Sequence, residues 1–237
     1  MSVLEDLLVV QEHDTVVDQL RHKKETLPEQ ARLREVKQAL AALDASAAEV
    51  GNRRDEVARR QQRHEDELAS VEDKIREVEK RLYSGEVSAP RELQAMQADV
   101  ASLNRHRSDI EDRVLEAMQE REPLDAELTN FAQQRSGLEA EADQLGQAIG
   151  EQVKEIDAEL ATELEAREAA AVSIPDDLLS QYERLRSKQG GVGAARLVNG
   201  RCSGCHLTLP ATELDRIKRG TPDTVVLCDQ CGRILVH

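Results

Sequence analysis

Apolar residues along this chain fall into two long runs with a helical step. In the first, Val36, Leu40, Leu43, Ala47, Val50 and Val57 are followed by Leu68, Val71, Ile75, Val78 and Leu82 at alternating intervals of four and three. Such a repeat keeps one narrow stripe of a helix turned toward a partner helix. The stripe is interrupted by Arg54, Gln61 and His64; polar seam residues either fix the register of a coiled coil or stand solvated in a loose stretch.

The second run extends from Leu93, Met96, Val100 and Leu103 through Leu124, Leu128 and Phe131 to Ile156, Leu160 and Leu164. Between the two lies Tyr83-Ser84-Gly85-Glu86-Val87-Ser88-Ala89-Pro90, where Gly ends one helix and Pro starts the next. Two seams of similar length joined by a short turn predict an antiparallel hairpin whose paired residue numbers add to about 174. On that register Pro123 faces Gly51, so both helices can bend at one level, and Pro28 faces Gly146. Residues 2–26 are then a separate helix or a bent continuation. An arm of roughly 80 helical residues would reach about 110 to 120 Å before kinks.

After about Ala171 the pattern changes. Ser173-Ile174-Pro175 reads as a break and a new start, with Ser173 as a cap, leading to a short helix that stops near Lys188 at Gly190-Gly191. Gly191-Val192-Gly193 lacks the further residues of a dinucleotide or P-loop motif and is read as a flexible joint. Beyond it, Ala195-Arg196-Leu197-Val198, Val225-Val226-Leu227 and Ile234-Leu235-Val236 are short strands, with a tight turn at Asn199-Gly200. A helix is expected over 210–220, with Thr212 and Asp215 as a capping box and Gly220 as its stop. The predicted fold is mainly α: a kinked antiparallel coiled-coil hairpin over residues 1–172, a short helix and linker over 173–191, and a small β-rich ribbon over 192–237.

All four cysteines lie in this last segment, as Cys202-Ser203-Gly204-Cys205 and Cys228-Asp229-Gln230-Cys231. Two thiolates from each tight CxxC turn supply the four ligands of a tetrahedral site. The spacing predicts one Zn(2+) per chain, or a thiolate-preferring substitute such as iron, in a structural site, since four cysteines leave no coordination position for an activated water. His206 adjoins Cys205 and is read as the first residue of a strand rather than a fifth ligand. A module this small, poor in large apolar side chains, should draw much of its folding free energy from the metal.

Composition narrows the function. Only Tyr83, Phe131 and Tyr182 are aromatic, too few for a thick globular core, and charged residues make up 33% of the chain. The net charge of -15 is divided unevenly: residues 1–183 carry 23 basic and 43 acidic side chains, residues 184–237 carry 9 and 4. Nucleic acid, RNA or DNA, could then meet only the C-terminal part, where Arg196, Arg201, Arg216, Lys218, Arg219 and Arg233 are candidate phosphate contacts. Arg201 and Arg233 equally suit a role in offsetting the -2 charge of a Zn(Cys)4 centre. Residues 184–237 hold no aromatic on which bases could stack. No stretch approaches the roughly 20 apolar residues of a membrane span, and the N-terminal residues lack a basic leader, so a cytoplasmic protein is expected. No HExxH, P-loop or G-x-S-x-G motif is found, and neither an enzyme nor a small-molecule substrate is expected.

Leu82-Tyr83-Ser84-Gly85 with Pro90-Arg91-Glu92-Leu93-Gln94, Gly200-Arg201-Cys202-Ser203-Gly204-Cys205-His206 with Leu209-Pro210, and Cys228-Asp229-Gln230-Cys231-Gly232-Arg233-Ile234-Leu235 together form a specific signature. It resembles the bacterial C4-type zinc-ribbon family of helical-hairpin proteins, whose members include a flagellar RNA-binding and sigma-factor chaperone and a chlamydial type III secretion chaperone. The resemblance implies a coiled coil plus zinc ribbon that binds protein or RNA partners. Where family members often carry an aromatic after Arg-Ile-Leu, this chain has Val236 and His237, so base stacking by the terminal strand is not implied. The expected function is a scaffold, adaptor or chaperone that grips a protein through the coiled coil, along the rod or at its turn with Tyr83, Pro90 and Leu93, with nucleic-acid binding by the basic ribbon as an added capacity. The alternative is a regulatory protein that binds RNA or DNA through the ribbon.

Overall fold

The computed structural model describes residues 2–221 and 224–237. Helix α1 (Val3–Glu25) begins at Ser2, whose hydroxyl accepts from the Leu4 amide, and ends at Thr26. Helices α2 (Pro28–Tyr83) and α3 (Pro90–Ala171) follow, then α4 (Asp176–Lys188). The C-terminal segment holds β1 (Ala194–Val198), β2 (Arg201–Cys202), α5 (Ala211–Arg219), β3 (Val226–Leu227) and β4 (Ile234–Val236). The helical hairpin and the small strand-bearing end match the expected fold class. Contacts divide the chain into two compact units, Leu33–Gln144 and a second that joins the residues up to Arg32 to Leu145–His237.

In the Leu33–Gln144 unit, α2 and α3 run antiparallel. Val50, Val57, Ala117 and Leu124 form one buried cluster, and Val71, Ile75 and Ile110 another. Polar side chains also pair across the two helices. Arg54 donates to Asp125 at 2.9 Å, Arg60 pairs with Glu120, Arg121 donates to Gln61 at 3.0 Å, and Arg135 lies 3.5 Å from Asp44. The paired numbers add to 179–182, while Glu67 with His106, nearer the turn, adds to 173. A Cβ at Gly51 would meet nothing within 4 Å, so Pro123 does not press on that position. Nor does Pro123 interrupt α3, which runs unbroken through it. Proline forfeits one backbone bond, but Leu124 beside it is buried among Val50, Val57 and Ala117, and this packing holds the helix across the gap.

In the second unit, α1 lies antiparallel to the C-terminal part of α3. Leu20, Leu27 and Ile156 pack together, Lys24 donates to Asp157 at 2.6 Å, and His13 meets Glu163 at 2.7 Å. Residues 2–26 are thus a separate helix, divided from α2 at Thr26-Leu27.

The ribbon sheet has the order β2-β1-β4-β3, with β1 and β4 parallel and both outer pairs antiparallel. Asn199 (φ 51°) and Gly200 (φ 77°) turn β1 into β2, both left-handed, as the tightest hairpins require. Alternation along the two central strands assigns each side chain to one of two cores. Ala194, Ile234 and Val236 face α1 and α4, meeting Leu4, Leu7, Val10, Leu178 and Tyr182. Ala195 and Leu235 face the other way, toward Cys202, Leu209, Ile217, Val226 and Cys228. The ribbon is therefore no independent tail: one face of its sheet completes a helical core.

Candidate metal centre

Cys202 and Cys228 are buried and Cys205 and Cys231 half-buried; all four are free thiols. Their sulfurs lie within 4.8 Å of one another, the one such group of metal-ligating atoms among the described residues. Cys202 Sγ is 3.9 Å from Cys231 Sγ, and Cys205 Sγ is 3.9 Å from Cys228 Sγ. Sulfurs about 2.3 Å from a common ion at tetrahedral corners stand about 3.8 Å apart, whereas a disulfide needs about 2.05 Å. The four cysteines are positioned to bind one metal ion.

The two CxxC turns repeat one backbone pattern. The His206 amide donates to the Cys202 carbonyl at 2.8 Å and the Gly232 amide to the Cys228 carbonyl at 2.7 Å. The Cys202 amide donates to the Leu207 carbonyl, and the Cys228 amide to that of Arg233. Each turn closes on a left-handed residue, His206 at φ 61° and Gly232 at φ 74°. His206 is thus the hinge of the first knuckle, exposed and outside any strand, which corrects the expectation that it starts one. Gly204 fits because Arg233 crosses it; a Cβ there would fall 2.5 Å from Arg233 Cδ.

Burial is the largest influence on the thiols. It raises Cys202 above the usual thiol range and Cys228 to about 12. At Cys231 burial acts in the same direction but is outweighed by hydrogen bonds from Arg233 and neighbouring thiols, which bring it down to about 7. The charge a metal needs is thus already favoured at one corner of the site.

Three candidate phosphate-binding arginines make internal contacts. Arg196 forms a bidentate pair with Glu5 at 2.7 and 2.9 Å, and Arg233 donates to the Val192 and Gln189 carbonyls at 3.0 and 2.9 Å. Arg201 donates to the His206 carbonyl at 2.9 Å. Arg216 pairs with Glu213 along α5 but stays exposed, as do Lys218 and Arg219. Arg216 and Arg219 line an open groove of about 530 Å³ with Thr212, Asp215, Gly220 and Thr224. Helix α5 is capped by Pro210 without a side-chain bond, so the expected capping box of Thr212 and Asp215 does not form. At the hairpin turn Tyr83 is 82% exposed, Pro90 is exposed and Leu93 half-buried.

The joint between α4 and β1 is clamped rather than flexible. Gln11 Nε2 donates to the Gly191 carbonyl at 3.0 Å, while its Oε1 accepts from the Gly193 amide at 2.7 Å and the Ala194 amide at 3.2 Å. Asp14, one turn on, accepts from Tyr182 at 2.7 Å and Arg167 at 2.8 Å, and Arg186 lies 3.5 Å away. Ser173 donates to Asp6 at 2.7 Å instead of capping α4, whose N-cap is Pro175. Gln11 and Asp14 continue the spacing of Leu4 and Leu7, so polar residues on an apolar phase were the signal that sequence reading overlooked.

A helical hairpin joined to a four-cysteine ribbon defines the class. The chain belongs to the CT398-like coiled coil hairpin family, whose model matches residues 10–190, and a C4-type zinc ribbon domain matches residues 201–235. It is similar to an uncharacterised protein of Mycobacterium tuberculosis, 29% identical over 98% of this chain and 94% of that protein. A second relative, from Mycobacterium leprae, is 31% identical over 70% of this chain and 73% of its own length. A solved structure from Mycobacterium smegmatis superposes with a TM-score of 0.86 at 26% identity, covering 99% of this chain and 97% of that one. CT398 from Chlamydia trachomatis has the same fold, with a TM-score of 0.71 at 21% identity over 99% and 97% of the two chains. No helix among the described residues is long and apolar enough to cross a membrane.

Proposed function

We propose that the protein is a non-enzymatic cytoplasmic adaptor or chaperone that captures a protein partner at the turn of its hairpin, and that Cys202, Cys205, Cys228 and Cys231 hold one structural Zn(2+) in its ribbon. The exposure of Tyr83 carries the partner reading. Of two tyrosines, Tyr182 is fully buried while Tyr83 stands in solvent beside Pro90 and Leu93. A large aromatic left in water at a helix turn contributes nothing to the fold and much to an interface.

A photo-crosslinking residue at position 83, compared with one at exposed Val172, tests this in the native cell. Adducts to one identified protein at 83 alone, lost on deletion of residues 84–90 with zinc content unchanged, support capture at the turn. Equal labelling at both positions contradicts it.

The second reading, RNA or DNA binding by the ribbon, is favoured by the exposed cations Arg216, Lys218 and Arg219 on one short helix. It calls for affinity that falls steeply with salt and is lost when the three are changed to Glu. Gel shifts at two salt concentrations separate the readings.

A further inference from the structure

The polar stretch of the hairpin holds a set of donors outside the ribbon. His64 sits on α2 between buried Gln61 and half-buried Leu68, and Glu67 follows it one turn on, on the same helix face. His106 reaches the same carboxylate from α3. His64 Nδ1 lies 3.9 Å from Glu67 Oε2, and His106 Nε2 lies 3.7 Å from Glu67 Oε1. Two imidazoles from facing helices thus stand at opposite oxygens of one carboxylate.

We propose that His64, Glu67 and His106 form a second metal site, a clip for a divalent transition ion of the Zn(2+), Ni(2+) or Cu(2+) type that ties α2 to α3. Imidazole nitrogens with one carboxylate are the donor set these ions favour, and Ca(2+) and Mg(2+) do not. Nitrogen and oxygen ligands about 2.0 to 2.2 Å from a tetrahedral ion stand about 3.4 Å apart. The two histidine–Glu67 separations exceed that by a few tenths of an ångström.

The trio is an open jaw rather than a closed shell, since its three donors do not all fall within the 4.8 Å that the ribbon cysteines satisfy. Closing it requires the two imidazoles to approach one another. Glu67 and His106 are 44% and 48% exposed, so solvent borders much of each side chain, while His64 is 22% exposed. Arg107, next to His106, is turned to Glu111 at 3.3 Å, which offsets its charge. Three protein ligands leave one position for water, as in open metal sites. Bound there, the ion would pin the register of the helices where the apolar seam gives way to polar side chains.

The test uses the full-length, tag-free protein with its ribbon zinc in place. Calorimetric titration with Ni(2+) or Zn(2+), and metal analysis after gel filtration, should detect a second equivalent per chain and a higher melting temperature. His106→Ala and Glu67→Gln should each weaken that second equivalent at least tenfold and abolish the rise in melting temperature, leaving the ribbon zinc unchanged. Because both residues are exposed, these variants fold. A single equivalent at saturating metal, or a second that persists in both variants, overturns the proposal.

Discussion

The Tyr182 hydroxyl donates to the Asp14 carboxylate at 2.7 Å inside a core otherwise built from Leu4, Leu7, Val10, Ala194 and Ile234. Burial, reinforced by the Asp14 charge, holds the phenol protonated far beyond its ordinary range. Only 4% of the Asp14 side chain meets solvent, and Arg167 and Arg186 close the rest of its shell. This one carboxylate joins α1, α3 and α4 beneath the ribbon.

Removing the two partners should therefore have unequal costs. Tyr182→Phe deletes one hydrogen bond to a charged acceptor that keeps its arginines, a loss of about 1.5 to 3 kcal/mol. Asp14→Ala leaves the buried Tyr182 hydroxyl without its acceptor and takes one carboxylate from Arg167 and Arg186, which keep Glu183 and Asp18, so it should cost about 1 to 3 kcal/mol more than Tyr182→Phe. Urea unfolding followed by far-ultraviolet circular dichroism ranks the two; equal losses would mean that Asp14 acts through Tyr182 alone.

The joint offers a steric test. A Cβ at Gly193 would lie 2.7 Å from the Tyr182 ring and 2.8 Å from its carbonyl oxygen. Gly193→Ala should lose about 1 to 3 kcal/mol by overpacking and make the α4–β1 joint a site of limited proteolysis. Cleavage no faster than in the parent protein would show the joint to be as loose as its glycines suggest.

The paired knuckles give opposite expectations for matching positions. Open space surrounds a Cβ at Gly232, so Gly232→Ala introduces left-handed strain alone, about 1 to 2 kcal/mol. His206 already bears that strain, so His206→Gly should leave stability unchanged or raise it by up to about 1 kcal/mol. Thermal unfolding of the zinc-loaded variants decides; destabilisation by His206→Gly would give the imidazole a role beyond the turn.

Metal uptake should release protons, because Cys202 is raised and Cys228 is pushed to about 12 without an ion, whereas Cys231 lies near 7. At neutral pH at least two thiols lose protons on binding, so zinc affinity rises with pH and falls steadily toward acid. Calorimetry in buffers of different ionisation enthalpy measures the protons released; a pH-independent affinity would contradict this picture.

Much of the fold was legible because periodicity reports directly on it. The heptad stripe, the Gly85–Pro90 break and the Asn199-Gly200 turn each fix a local geometry that tertiary contacts have no reason to override. The cysteines were legible for a similar reason, since CxxC spacing dictates a turn. What the sequence concealed was long-range. Gln11 meets Gly191 and Gly193 across some 180 residues, so the joint looked free. The contacts of Arg196 with Glu5 and of Arg233 with two carbonyls were equally hidden, since their partners lie far along the chain. The ion pairs near Arg54 and Asp125 add to more than the expected 174, because long side chains reach past their own level on the helix.

The ribbon's two-faced sheet makes metal removal informative as well. Chelation should unravel the knuckles and α5, which rest on Cys202 and Cys228, while Ala194, Ile234 and Val236 stay packed on α1 and α4. In a Tyr83→Phe variant the remaining tyrosine, Tyr182, reports on that core, and its emission should change little on chelation. A shift to the fully exposed spectrum would mean that the ion supports both faces.

The most direct measurement is metal content per chain in protein purified without added zinc and washed with a weak chelator, alongside Cys202→Ser and Cys228→Ser. One tightly held zinc in the parent chain and none in either variant is the expected result. A parent chain without metal, or one whose cysteines are joined as disulfides, would contradict the four-thiolate centre.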